Sequence, residues 1–327
     1  MKFNFEESMT RHEALDFLLE NCRYERKTEL ISVENSIGRY TAGDIFSKVN
    51  SPVFRTSSFD GIAVASKDFD GKIPDVSSWK QGVQFVRADT GDDFPDKFDC
   101  VIAIEDVIIN GEKLISINEN ALKEIKPGCN TKLPGSSCKK GELLVPANTK
   151  ITPMLASMLV VGGIRQLEVI KQPKIVYIPT GDELVYRGEP LKRGKTYESN
   201  SILVKGMVEE MGAEAFIMPI IRDNRDDLAE AFDEAVLSGD IIIINGGSSR
   251  GSEDFNSELV EEKCDMFRHG IKAAPGRPVG IGVLSGKPVI NMPGPAIASF
   301  IALDWCIRGL IADYYKTKSA ARPMIKC

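Results

Sequence analysis

The chain has 327 residues, is 43% hydrophobic and carries a formal charge of −6, which supplies enough apolar material for two or three packed domains and argues against a general nucleic-acid partner. No apolar run is long enough to span a bilayer, and residues 1–10 are too acidic and polar for a secretory signal, so a cytoplasmic protein with no membrane partner is expected. Seven cysteines without a C-x-x-C spacing fit free thiols in a reducing compartment, and with His12 and His269 as the only histidines a His-based zinc site or catalytic triad is disfavoured.

In chain order, residues 9–21 place Ala14, Leu15, Leu18 and Leu19 at helical spacing behind Thr10, a suitable N-cap. Residues 50–140 have a β-like texture of short apolar runs broken by Gly, Asp, Asn and Pro, and Asn110-Gly111 between two such runs predicts a hairpin. Residues 153–161 read as a helix that returns the chain to the first segment. From Pro173 strands and helices alternate: strands over 174–178, 215–221, 241–244 and 288–292, helices over 200–211, 226–237, 254–263 and 296–311. That order predicts an α/β fold with a largely parallel sheet covered on both faces. The expected division is a helical linker domain (1–48 with 141–171), a β-rich domain (49–140), an α/β domain (172–315) and a tail (316–327).

The chemistry is concentrated in loops that follow strands of the second half. Four isoleucines, Ile241 to Ile244, run into Gly246, Gly247, Ser248, Ser249, Arg250 and Gly251, with Asp254 at a helix start. Thr180-Gly181-Asp182-Glu183 sets two carboxylates just past a strand, Ser199-Asn200 precedes a helix, and Pro293-Gly294-Pro295 links the last strand to the last helix. Each loop alone could be ordinary turn chemistry. Four at strand carboxyl ends describe a pocket for a polar, phosphate-bearing ligand, with carboxylates able to hold a metal.

T-G-D-E-L, E-S-N-S, G-G-S-S-R-G-S-E-D-F, P-G-R-P and the strand followed by P-G resemble, in order and spacing, the molybdenum-cofactor-binding domain of the molybdopterin molybdenumtransferases, the MoeA/gephyrin-E family. The first half agrees: Ser58 to Val64 resembles S-x-M-D-G-Y-A-V, and Ala88-Asp89-Thr90-Gly91 with Asp99 to Ile102 and Glu105 resembles T-G-A…A-D-A-V-V…E. Pro127-Gly128-Cys129-Asn130 with Gly135 resembles G-E-N-x-R-x-x-G-E-D. The resemblance implies insertion of molybdate into adenylylated molybdopterin with release of AMP and help from Mg²⁺. It implies a three-layer α/β/α domain in an elongated, multi-domain homodimer, one subunit's Asp60 and Thr90 lying over the other's pocket. A MogA-like adenylyltransferase and recipient molybdoenzymes become candidate partners. By position it assigns catalysis to Asp60, Thr90, Glu183, Asp223, Asp254 and Arg277. It assigns Mg²⁺ to Asp60, Glu183 and Asp254. It assigns pterin binding to Thr180, Gly181, Asp182, Ser199, Asn200, Gly246, Gly247, Ser248, Ser249, Pro293 and Gly294.

The chain also departs from that pattern. Ala274 replaces the first Lys of K-P-G-K-P, Ser136 and Ser137 replace a Glu and an Asp, Thr90-Gly91 is followed by Asp92 where the family has Ala, and Pro295 and Ala298 replace an Asn and a Ser. No room remains after Ile311 for the small C-terminal β-domain usual in the family. These changes keep open a carrier that binds molybdopterin without inserting metal. A CinA-like nucleotide hydrolase on the same α/β domain is the other alternative.

Overall fold

The computed structural model describes residues 8–247 and 255–318. A six-stranded sheet dominates the second half, in the order Glu214–Ile217, Lys174–Pro179, Ile241–Asn245, Lys287–Met292, Gly280–Leu284, Met266–His269. The first four strands are parallel and the last two antiparallel. Because side chains alternate along a strand, Ile241 and Ile243 enter one core and Ile242 and Ile244 the other, all at 0% exposure. Covered on both faces, each contributes about 1.5–3 kcal/mol of burial. That is why an unbroken isoleucine run suits the middle of a parallel sheet.

On one face lie the helix Asn200–Glu210 and the last helix, which runs from Ala296 to Tyr314 with a π-helical turn over Leu303–Ile307. On the other lie Arg225–Ser238 and Phe255–Lys263. Several elements are shorter or longer than the sequence suggests. The strand expected over 215–221 stops at Ile217, and Ile221 meets Thr180 in a separate parallel bridge. The antiparallel pair Met266–His269 and Gly280–Leu284 was not anticipated at all.

In the first half, Gln166–Ile170 pairs with Thr28–Ser32 on one side and with Tyr40–Thr41 on the other, both antiparallel. The helix Pro153–Val161 starts where the sequence places it, with Thr152 accepting from the Leu155 amide at 3.2 Å and Pro153 in the first turn. A separate β-rich region centres on Gly61–Val64, flanked by Phe85–Ala88 and Cys100–Ala103. Its expected hairpin joins Val107–Asn110 to Lys113–Ile117.

The first helix, Arg11–Asn21, has a full capping box, Glu13 N–H donating to Thr10 Oγ1 at 3.2 Å and Thr10 N–H to Glu13 at 2.7 Å. It docks on the six-stranded sheet, burying Ala14 and Leu18 in the same core as Val283 and Leu310, although it lies far from that sheet in sequence.

Candidate functional site

The parallel strands end at a cavity of about 410 Å³, lined by Thr180, Glu183, Ser199, Asn200, Gly246 and Gly294 among the residues singled out from the sequence. All four loops, the Ser199-Asn200 turn included, therefore meet on one edge of the sheet. The floor is built around Asn245, which ends the isoleucine strand and is 4% exposed. Its carbonyl-type oxygen accepts from Tyr177 Oη and from Asn200 Nδ2, each at 2.8 Å. Its amide donates to the Pro293 carbonyl at 2.7 Å and to Ser299 Oγ at 3.2 Å. Asn200 also donates to the Gly294 carbonyl at 2.8 Å, and Ser299 to Pro293 at 2.6 Å. One amide thus ties together two of the loops that line the cavity. Burial, followed by the neighbouring Glu198 carboxylate, pushes the Tyr177 hydroxyl up from its ordinary pKa, so it stays a donor.

Thr180 is held from below, its hydroxyl donating to the Asn245 carbonyl at 3.0 Å and accepting from Asn256 Nδ2 at 2.7 Å. Gly246 has φ +120°, and a Cβ there would stand 2.7 Å from the Thr180 carbonyl oxygen. Close approach of two backbones, not turn flexibility alone, demands this glycine. Gly181 has φ +139°, and its hydrogen faces the Glu183 carboxylate, which a Cβ would meet at 2.4 Å.

The acids of the T-G-D-E turn separate in role. Glu183 lines the cavity, together with Glu198. Asp182 instead forms a clasp with Asp223: Asp182 N–H donates to the Asp223 carboxylate at 3.0 Å and Asp223 N–H to Asp182 at 3.4 Å. The next helix takes its N-cap from Asn224, which accepts from Asp226 and Asp227 amides at 2.9 and 3.1 Å. Lys195 and Arg222 donate to the Asp182 carbonyl at 2.5 and 3.2 Å. Glu198 accepts from the Ser201 amide at 2.8 Å and from its hydroxyl, fixing its carboxylate at a helix start.

Asp60 lies elsewhere, on the exposed rim of the β-rich region, and is not among the residues lining the cavity. It pairs with Thr90 as the sequence suggests: the Thr90 amide and hydroxyl donate to Asp60 Oδ1 at 2.7 and 2.8 Å. These two bonds, the amide's first, hold the carboxyl below its ordinary range. Arg277 is exposed, and its carbonyl accepts from Ile271 N–H at 2.8 Å. Lys272, two residues before Ala274, is exposed and is not among the residues lining the cavity. Gly247 ends the described part of its loop with φ +46°. Ser248, Ser249 and Asp254 lie outside the described residues. Among the described residues no group of three acids, cysteines or histidines stands ready for a metal.

Asn245, Tyr177, Ser299 and Asn256 were not picked out from the sequence as site residues. The available signal was a polar residue closing each of two buried strands, Asn245 after Ile244 and Thr180 after Pro179.

Glycine- and proline-bearing loops gathered at the carboxyl edge of a parallel sheet define a ligand-binding α/β protein. Residues 9–163 match the sequence signature described as "MoeA N-terminal region (domain I and II)", and residues 176–313 match the "Probable molybdopterin binding domain". A molybdopterin molybdenumtransferase of Haemophilus influenzae is 29% identical over 96% of this chain and 80% of its own length. One from Bacillus subtilis is 26% identical over 90% and 72%. A crystal structure of a Pyrococcus horikoshii molybdopterin biosynthesis MoeA protein superposes with TM-score 0.75 at 26% identity, covering 94% of this chain and 80% of that one. The chain belongs to the MoeA family.

Proposed function

We propose that this protein is a molybdopterin molybdenumtransferase of molybdenum-cofactor biosynthesis, which inserts molybdate into adenylylated molybdopterin and releases AMP. The observation that carries the reading is the cavity at Thr180, Asn200, Gly246 and Gly294, built by the segment that matches the molybdopterin-binding domain. Backbone N–H groups at these strand ends suit a phosphate. Glu183 presents a carboxylate to the cavity, and Mg²⁺ is commonly held by one or two carboxylates plus substrate phosphate oxygens, so the residues fit that ion. When bound it would neutralise phosphate charge as AMP leaves. Asp60 and Asp254 are assigned to the same ion, and Arg277 to molybdate, through the family resemblance.

Asp60 stands apart from the cavity of its own chain, and this supports a homodimer in which it completes the partner's site. Exposed apolar side chains of the same β-rich segment, Val53, Phe54 and Phe59, and on the helix Pro153–Val161, Met154, Met158, Val160 and Val161, offer contact surface. The division into linker (1–48 with 141–171), β-rich (49–140) and three-layer α/β (172–315) domains follows the separate cores, with the first helix reaching across onto the α/β sheet. No helix among the described residues is long and apolar enough to cross a membrane. A cytoplasmic location is proposed with it, and a MogA-like adenylyltransferase and apo-molybdoenzymes are proposed as partners.

The test is AMP release from adenylylated molybdopterin with and without molybdate. Molybdate-dependent release is expected. Binding of the pterin without release would favour the carrier reading, which Ala274, Ser136 and Ser137 support. The hydrolase alternative leaves the match over residues 9–163 unexplained.

A further inference from the structure

A separate cavity of about 330 Å³ lies at the opposite end of the helices that cover one face of the sheet, and its size is that of a small-molecule site. The helix Asn200–Glu210 starts at the polar cavity, which Asn200 lines, and ends at this one, which Glu210 lines. Eleven helical residues put the two about 16 Å apart. The last helix runs the same way, with Ala296 at the polar cavity and Arg308 and Ile311 at the second. The facing wall comes from the first half of the chain, where Tyr40 and Lys150 share an antiparallel bridge. Lys318, just past the last helix, completes the rim.

Three cations therefore converge from three separate stretches of chain. Lys150 and Lys318 are exposed, and exposed lysines alone are ordinary surface. Arg308 is different, because its side chain is only 20% exposed. It holds Asp304 through Nε at 3.1 Å, a bond that does not engage its two terminal nitrogens. Lys150 reaches the Glu210 carbonyl at 3.4 Å, which is long for a hydrogen bond and leaves the ammonium open to a better acceptor. Glu210 is the one acid among the described residues lining the cavity, so three cations against one carboxylate leave two positive charges. A phosphate monoester or free phosphate carries close to two negative charges at neutral pH and several acceptor oxygens, and a guanidinium fork suits it. A single carboxylate would leave the lining under-neutralised. Beyond the cations, Tyr40 and the buried Met211 and Ile311 give an apolar floor.

We propose that this cavity is a phosphate site distinct from the catalytic one. A phosphate dianion, free or as a small ester, sits between Lys150, Arg308 and Lys318 and ties the linker segment to the two helices that lead to the polar cavity. The assignment does not depend on which substrate the polar cavity takes.

The probe is calorimetric titration of the full-length protein with inorganic phosphate and, in parallel, with glycerol 3-phosphate, each against chloride at equal ionic strength. Saturable binding is expected, with a phosphate-dependent rise in melting temperature. The polar cavity also suits phosphate, so the site is assigned by substitution. Lys150→Ala combined with Lys318→Ala should weaken phosphate by about tenfold, the scale of two exposed ion pairs, and should abolish most of the thermal shift. Arg308→Lys keeps the charge but loses the fork, and should weaken phosphate by at least about threefold. Lys318→Ala alone, about threefold weaker, separates lost binding from any folding effect of removing the Lys150 contact with Glu210. Tighter binding of the ester identifies an ester as the occupant, and tighter binding of the free ion identifies phosphate itself. Either keeps the site. Binding no stronger than chloride overturns it. So does an affinity that the double substitution leaves unaltered, which would put the phosphate in the polar cavity instead.

Discussion

Asn245 shows how one side chain can set a site without touching chemistry itself. Its amide serves Tyr177, Asn200, Pro293 and Ser299 at once, so truncation strands several buried groups together. Each such group costs about 1–3 kcal/mol when left unpaired, and Asn245→Ala is expected to destabilise the protein by about 3 kcal/mol in urea unfolding and to weaken pterin binding. An unchanged midpoint would show that water fills the gap. Asp60 offers a cleaner electrostatic test. Its carboxyl is depressed first by the Thr90 amide and then by the Thr90 hydroxyl. Thr90→Val removes the second bond and keeps the first, so the Asp60 pKa should rise part of the way to its ordinary range. A depressed carboxylate favours the fold above its unfolded pKa and loses that contribution as pH falls through the folded value. Asp60 is solvent-exposed, so the readout is its own titration by NMR. The acid limb of the pH–activity profile should move to higher pH with it. An identical titration in the variant would assign the shift to the amide alone.

Elements differ in how openly the sequence announces them, and locality explains most of the difference. Thr10 as an N-cap, Asn110 with Gly111, and four adjacent isoleucines each act within a few residues, and each lies where the sequence reading placed it; the Glu13 half of the capping box was not read from the sequence. The pairing of Thr28–Ser32 with Gln166–Ile170 depends on partners far apart in the chain, and nothing local in either strand names the other. The Met266–His269 strand alternates exposed with half-buried residues at a sheet edge, so its pattern is faint. The site followed the same rule. Glycines at 181 and 246 were visible as turn signals, but that Gly246 is required by the Thr180 carbonyl 2.7 Å from its missing Cβ is a fact of two strand ends meeting. Gly246→Ala must therefore part those ends as well as adopt φ +120°. A cost of about 1–3 kcal/mol is expected, with pterin affinity falling alongside. Thermal melting and pterin titration check both, and a variant that keeps wild-type affinity would show that the loop tolerates the shift. The Asp182–Asp223 clasp was likewise hidden, since either acid alone reads as an ordinary loop or helix-start residue.

At the scale of the whole molecule, the first helix staples the N-terminus to the sheet that carries the cavity, while the β-rich region holds Asp60 away from the cavity of its own chain. A cavity whose described lining includes Glu183 and Glu198 but neither Arg277 nor Asp60 lacks part of the machinery that the family resemblance assigns. A two-fold dimer supplies it if each β-rich region covers the other subunit's sheet edge, since such an interface repeats the same contacts twice. The arrangement has a quantitative signature. Let Asp60→Asn and Glu183→Gln each be inactive alone, and let the two be mixed under conditions that exchange subunits. Half of the dimers are then mixed, and in each of these one site draws Asp60 and Glu183 from opposite chains and is intact. Recovery of about a quarter of wild-type AMP release is therefore expected for random pairing. If both residues serve the site of their own chain, every site in every mixed dimer carries one substitution and no activity returns. Recovery without subunit exchange would mean that one of the two variants was never inactive, and each is assayed alone for that reason.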